Sequence, residues 1–138
     1  MTKRFGLFIA IPMLLALQAC AGLAADACGP GLIRITQAQL FFGRDIEHRT
    51  LVSDAQWRDF LDQEVTPRFP DGFSVADVSG QYRDQSGTIV REPSKQLLIF
   101  LRNVATDEPK LNAIRDAYKR RFNQESVLLV ESPVCAGF

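Results

Sequence analysis

FSVADVSGQYRDQSGTIVREPSKQLLIFL, Phe73–Leu101, consists of two extended runs around a turn. Asp84-Gln85-Ser86-Gly87 has turn composition: glycine supplies positive φ, and short polar side chains bond their own backbone. Phe73–Tyr82 has strand composition but alternates poorly. Gly80 inside it predicts a bulge or a close backbone approach. Thr88–Val90 resumes the extended run, Pro93 interrupts it, and Gln96–Leu101 (QLLIFL) is a strong strand. The two arms are expected to form a long antiparallel hairpin, with Pro93 at a bulge or an edge position. A hairpin in mid-chain leaves the fold to be decided by its two flanks.

Upstream, Gln37–Gly43 (QAQLFFG) reads as a strand ended by glycine, and Arg44–Leu51 as a polar loop. Ser53 is an N-cap, and Gln56 three residues on completes a capping box. Trp57, Phe60, Leu61 and Val65 follow at helical spacing. Pro67 stops this helix near Val65, and TPRFPDG is loop with a turn at Asp71-Gly72. Downstream, Thr106 caps a second helix, with Asp107 and Glu108 at its positive end. Leu111, Ile114, Ala117, Tyr118 and Phe122 form its apolar stripe, and Asn123 ends it. Ser126–Glu131 (SVLLVE) is the last strand, followed by Pro133 and Cys135.

The order strand, helix, strand, strand, helix, strand is the split βαβ, or ferredoxin-like, pattern of the α+β class. Right-handed crossovers place both helices on one face of a four-stranded antiparallel sheet. The spatial order four, one, three, two makes the first and last strands antiparallel neighbours. The start of the first strand then lies beside the end of the last.

The chain opens with Lys3 and Arg4, then an apolar run, Phe5–Leu17 (FGLFIAIPMLLAL). That run is shorter than the about 20 residues of a spanning helix. It matches the apolar region of a secretory signal, so residues 1–19 are expected to be a signal peptide. Leu17-Gln18-Ala19-Cys20 resembles the lipobox of bacterial lipoproteins, although Gln18 is larger than usual at its position. By that resemblance cleavage precedes Cys20, whose thiol carries a diacylglyceryl group, and the chain is tethered to a membrane by lipid. Ala19-Cys20-Ala21 and Gly22-Leu23-Ala24 are alternative sites for the ordinary peptidase, which would leave a soluble periplasmic protein. Residues 20–32 are then a tether and residues 33–138 one domain. In the oxidising compartment that export implies, Cys28 and Cys135 form a disulfide, closing a loop of about a hundred residues. The predicted topology brings the two cysteines together. The competing role, a reactive thiol, lacks a histidine partner beyond His48.

Without Lys3 and Arg4 the chain carries 14 basic and 16 acidic residues, and this balance speaks against nucleic acid. Lys119-Arg120-Arg121 reads as a solvated helix end. The strands carry apolar residues in both phases. Leu98 and Phe100 oppose Leu97, Ile99 and Leu101; Leu128 and Val130 oppose Val127 and Leu129; Phe41 opposes Leu40 and Phe42. A sheet with helices on one side therefore leaves an apolar face uncovered. A second copy packed sheet to sheet is the expected cover; a ligand, a partner protein or the chain's own end segments are alternatives. The candidate binding residues lie on the hairpin arms: Gln81, Tyr82 and Arg83, with Asp84, entering the turn, and Arg91, Glu92, Ser94 and Lys95 leaving it. The two arginines could hold a carboxylate or phosphate, and Glu92 with Tyr82 or Lys95 could do acid–base work. Cross-strand ion pairs are the plainer reading. No metal, cofactor or catalytic motif is present in the sequence.

Three long phrases are more specific than any of these motifs: FLDQEVTPRFPDGFSV (Phe60–Val75), GQYRDQSGTIVREPSK (Gly80–Lys95) and AYKRRFNQESVLLVESPVC (Ala117–Cys135). They resemble the small bacterial secreted proteins and lipoproteins grouped as domain of unknown function 3574, from about Ala38 to Cys135. The resemblance implies a bacterial envelope location and brings no catalytic residue or cofactor. The function expected is a non-catalytic envelope binding or assembly module. The alternative is a small periplasmic enzyme with an acid/base site at the hairpin.

Overall fold

The computed structural model describes residues 28–46, 50–83 and 86–137. The signal peptide, Cys20, most of the tether, His48 and Asp84 lie outside the described residues. Four strands form one antiparallel sheet: β1 (Ile33–Gly43), β2 (Ser74–Arg83), β3 (Ile89–Leu101) and β4 (Leu128–Ala136). Their spatial order is β2-β3-β1-β4, the ferredoxin-like arrangement expected from the element order. α1 (Asp54–Phe60) links β1 to β2, and α2 (Val104–Phe122) links β3 to β4.

Local chemistry explains the helix ends. The Ser53 side chain accepts from the Gln56 N–H and the Gln56 side chain accepts from the Ser53 N–H, completing the box. Beyond Phe60 the chain widens into one π-helical turn, Leu61–Val65, where the Thr66 N–H reaches the Leu61 carbonyl. Pro67 follows, and the helix stops where it was expected to. α2 starts at Val104, two residues before the expected Thr106 cap. Asn103 is the cap residue. The Asp107 carboxylate accepts from its N–H, and the Thr106 hydroxyl donates to its carbonyl. β3 runs unbroken to Leu101, so the turn into the helix must begin at once. Asn123 ends α2 in the left-handed region at φ 49°.

Five strand expectations need correction. β1 begins at Ile33 rather than Gln37, and β4 continues to Ala136 rather than stopping at Glu131. The added residues pair with one another, Ile33 opposite Ala136 through Thr36 opposite Pro133. β4 is an edge strand, where a proline is tolerated. Pro93 sits at neither a bulge nor an edge, because β3 is central and its register with β2 is continuous. β1 pairing ends at Ser94, and the Pro93 carbonyl accepts from Arg44 N–H at 3.1 Å. The Arg44 carbonyl, which a ladder N–H at position 93 would have served, accepts from Val52 N–H instead, at 2.8 Å. Gly80 likewise makes no bulge, and a Cβ there would meet only ordinary contact distances. The expected polar loop holds a small antiparallel ladder, Asp45–Ile46 against Thr50–Leu51.

Ala38, Leu40 and Phe42 of β1 and Leu97, Ile99 and Leu101 of β3 point to the helices and are buried. The expected α2 stripe packs on them. Phe42, Trp57, Phe60, Tyr118 and Phe122 form one aromatic cluster, with neighbouring ring centroids 4.7–6.1 Å apart. Cys28 and Cys135 are joined as a disulfide with Cα atoms 5.5 Å apart, tying the chain before β1 to the end of β4.

Candidate functional site

Pairing between β2 and β3 puts Gln81 opposite Arg91, Gly80 opposite Glu92, Val78 opposite Ser94 and Asp77 opposite Lys95. Alternation then divides the candidates. Tyr82, Glu92 and Ser94 lie on the outer face, away from the helices. Gln81, Arg83, Arg91 and Lys95 lie on the helix side. Arg83 and Lys95 are separated by six residues of register, roughly 20 Å along the strand. The seven residues therefore do not converge on one point.

Each has its own surroundings. Arg83 donates to the Gly87 carbonyl at 2.7 Å and closes the turn. Tyr82 is half exposed. A Glu92 oxygen accepts from the Asp45 N–H at 3.2 Å, and a Cβ at Gly43 would overlap that carboxylate. Position 43 thus has to be glycine for Glu92 to sit there. Lys95 is the most buried of the set. Its ammonium bonds Asp77 at 2.5 Å and Asp54 at 3.1 Å, while Arg44 bonds Asp54 at 3.1 Å. The hydrogen bond that Lys95 donates to Asp77 raises its pKa, burial opposes that, and Asp54 adds to it. Bonding to Lys95 in turn holds the Asp54 carboxyl below the ordinary range. This network pins the first turn of α1 to the hairpin. Sequence reasoning grouped Lys95 with the turn and missed Arg44, Asp54 and Asp77. A signal was available: Lys95 is in phase with Leu97, Ile99 and Leu101, and an inward cation requires an anion.

On the other side of the same region, Tyr118 reaches from α2 to donate to the Gly43 carbonyl at 2.8 Å. Burial pushes its phenol pKa well up, so it stays protonated. Among the described residues no group of three or more His, Cys, Asp or Glu side chains could hold a metal ion.

The outer sheet face carries Phe41, Leu98, Phe100, Leu128 and Val130, as the strand phases required, and no described element lies across it. It is not wholly apolar. Gln37, Gln39 and Gln96 share it, and the Gln96 amide donates to Gln39 at 2.7 Å in mid-sheet. Two hollows adjoin this face at the end where β1 starts and β3 finishes. The larger, about 480 Å³, is lined chiefly by Ile33, Ile35, Phe73, Leu98 and Phe100 with Arg102. The smaller, about 280 Å³, shares Phe100 and Arg102 and reaches Arg68 and Lys110. No hairpin candidate lines either one. No described helix is long and apolar enough to cross a membrane.

Solved structures similar to this chain share its fold. A phage SAM lyase in complex with S-methyl-5′-thioadenosine superposes with a TM-score of 0.58 at 19% identity, covering 83% of this chain and 95% of that one. The same kind of lyase in its apo state gives 0.55 at 18%, covering 75% and 89%. CutA from Synechococcus elongatus PCC7942 gives 0.51 at 14%, covering 78% and 87%. At these identities the likeness is one of architecture. No curated protein matches the chain in sequence. The family match spans residues 37–138 and so takes in β1 from Gln37 onward, both helices, the hairpin and β4. On that extent the chain belongs to the protein family of unknown function DUF3574.

Proposed function

We propose that this chain is an exported, non-catalytic binding or assembly module of the bacterial cell envelope, held at a membrane through Cys20 and working through its outer sheet face. The observation that carries the reading is that face. Leu128 is 59% exposed and Val130 42% on β4, and Phe100 is 40% exposed on β3 across β1 from them, with no described element over them. The dispersal of Gln81, Tyr82, Arg83, Arg91, Glu92, Ser94 and Lys95 over both faces supports a binding role over acid–base chemistry at the hairpin. The Cys28–Cys135 disulfide is compatible with an oxidising compartment.

The occupant of the face is a second copy, packed sheet to sheet. Four strands about 4.8 Å apart and eight residues at about 3.3 Å give roughly 500 Å² per protomer. Two such faces bury about 1,000 Å², the lower bound for a specific interface. The central Gln39–Gln96 pair makes one hydrogen bond across the strands, and its remaining amide groups are available to bond the facing copy. Light scattering of the mature chain at micromolar concentration should give twice the monomer mass, and Val130→Glu should halve it. A monomeric wild-type chain would overturn the pairing.

A further inference from the structure

The two hollows beside the outer face meet at Asp71, Gly72, Phe100 and Arg102, which line both. They are neighbours with unlike linings, and the Asp71–Arg102 ion pair stands at their common boundary. The larger lobe crosses from the start of β1 over the end of β3 to the start of β2. It exists because β1 and β4 overrun the sheet there, while β3 turns away after Leu101. Its apolar walls are Ile33, Ile35, Phe73, Leu98 and Phe100, and Arg34, Asp71 and Arg102 are its charged lining. The smaller lobe rounds the rim toward α2 and carries three cations, Arg68, Arg102 and Lys110. Gly72 stands at the junction at φ +120°, and a Cβ there would meet nothing within 4 Å.

The cations differ in how firmly they are held. Arg68 bonds both the carboxylate and the carbonyl of Glu64 and is about one-third exposed. Lys110 bonds Asp107, which is buried. Burial pushes Asp107 up, but Lys110 and the Asn103 N–H outweigh it and keep its pKa low. Arg102 is different. It meets Asp71 through Nε alone at 3.1 Å, with side chains 79% and 71% exposed. Such a pair holds its partner weakly, and the terminal nitrogens of the guanidinium remain to take another oxyanion.

We propose that the larger lobe binds a single-chain anionic amphiphile, a fatty-acyl carboxylate, with its tail along Ile33, Leu98, Phe100 and Phe73 and its carboxylate on Arg102. The lobe volume lies within the range of small-ligand sites, and a mainly apolar wall with a few charged groups at its margin is their usual make-up. The inference rests on reading the outer face as a binding surface, and it concerns one end of that face.

The probe is laurate titrated into the mature chain, followed by calorimetry and amide chemical shifts. Saturable one-to-one binding is expected, with the largest shifts around Ser74, Leu98 and Phe100. Ser74→Trp, which lays a ring over Leu98, should abolish it while leaving the melting temperature within a few degrees. Arg102→Ala should weaken laurate by about 10-fold, the effect of one charge-assisted hydrogen bond, and leave dodecanol unchanged. Val130→Glu separates the two readings: it should break the dimer and keep laurate binding. Absent saturation, or binding that is indifferent to Ser74→Trp or moves shifts at Leu128 instead, overturns the proposal.

Discussion

Lys95 shows how a residue can be visible in sequence and still be misplaced. Its neighbours Glu92 and Ser94 point to the outer face, whereas Lys95 turns in toward α1 and is 9% exposed. Its partners are in water, Asp54 64% and Asp77 77% exposed, so the network is worth less than a buried one. The linkage has a definite sign. Lys95 is raised above its ordinary 10.5, so its contribution is complete below that pH and is lost as pH rises through the raised value. Asp54 and Asp107 are lowered from 3.8, so theirs is complete above 3.8 and is lost as pH falls through the depressed values. Denaturant unfolding across pH should therefore show a plateau from about 5 to 9.5, falling at both ends. Lys95→Met should cost about 1 kcal/mol on that plateau and remove much of the alkaline fall. An unchanged alkaline limb would mean that Lys95 is not the cation that matters.

Helices were more legible than strands, and the helix ends show why. The Ser53 box, the stop before Pro67 and the Asn123 cap each depend on residues within one turn, and all three formed as expected. The start of α2 did not, because Asn103 and Thr106 are both competent and the end of β3 chose between them. Strand bounds failed for a related reason: β1 and β4 are extended by pairing with each other, across nearly the whole described chain. Gly80 and Pro93 were overridden by neighbouring strands that kept the register. The left-handed cap gives a test at this scale. At φ 49° Asn123→Gly should raise stability by a few tenths of a kcal/mol, and Asn123→Ala should lower it by about 1. Urea unfolding with an unchanged m-value reads both.

At the scale of the molecule the disulfide joins the two ends of the fold. It spans 107 residues, and in the chain-entropy model such a loop is worth about 4–5 kcal/mol. Cys28→Ser with Cys135→Ser should accordingly lower stability by about 2–5 kcal/mol and loosen first the extra pairing of Ile33–Thr36 with β4. The same bond belongs to the export reading. Intact mass of the protein from its native membrane should show residues 1–19 removed, Cys20 acylated and two hydrogens missing from the other cysteines. A full-length product with three free thiols would remove both the compartment and the covalent closure. The amino-acid sequence by itself determined the order of elements, the inward stripes of the helices and the cysteine pair, because caps, periodicity and turns are written in neighbouring residues. It also foretold an apolar outer face, since strand phase is a local property. Only the tertiary structure decided that the hairpin candidates part company, that Lys95 belongs to α1, and that the Gln39 and Gln96 amides bond each other. It alone made the hollows at the end of β3. Those outcomes follow from register and strand overhang, set by contacts between segments far apart in the chain.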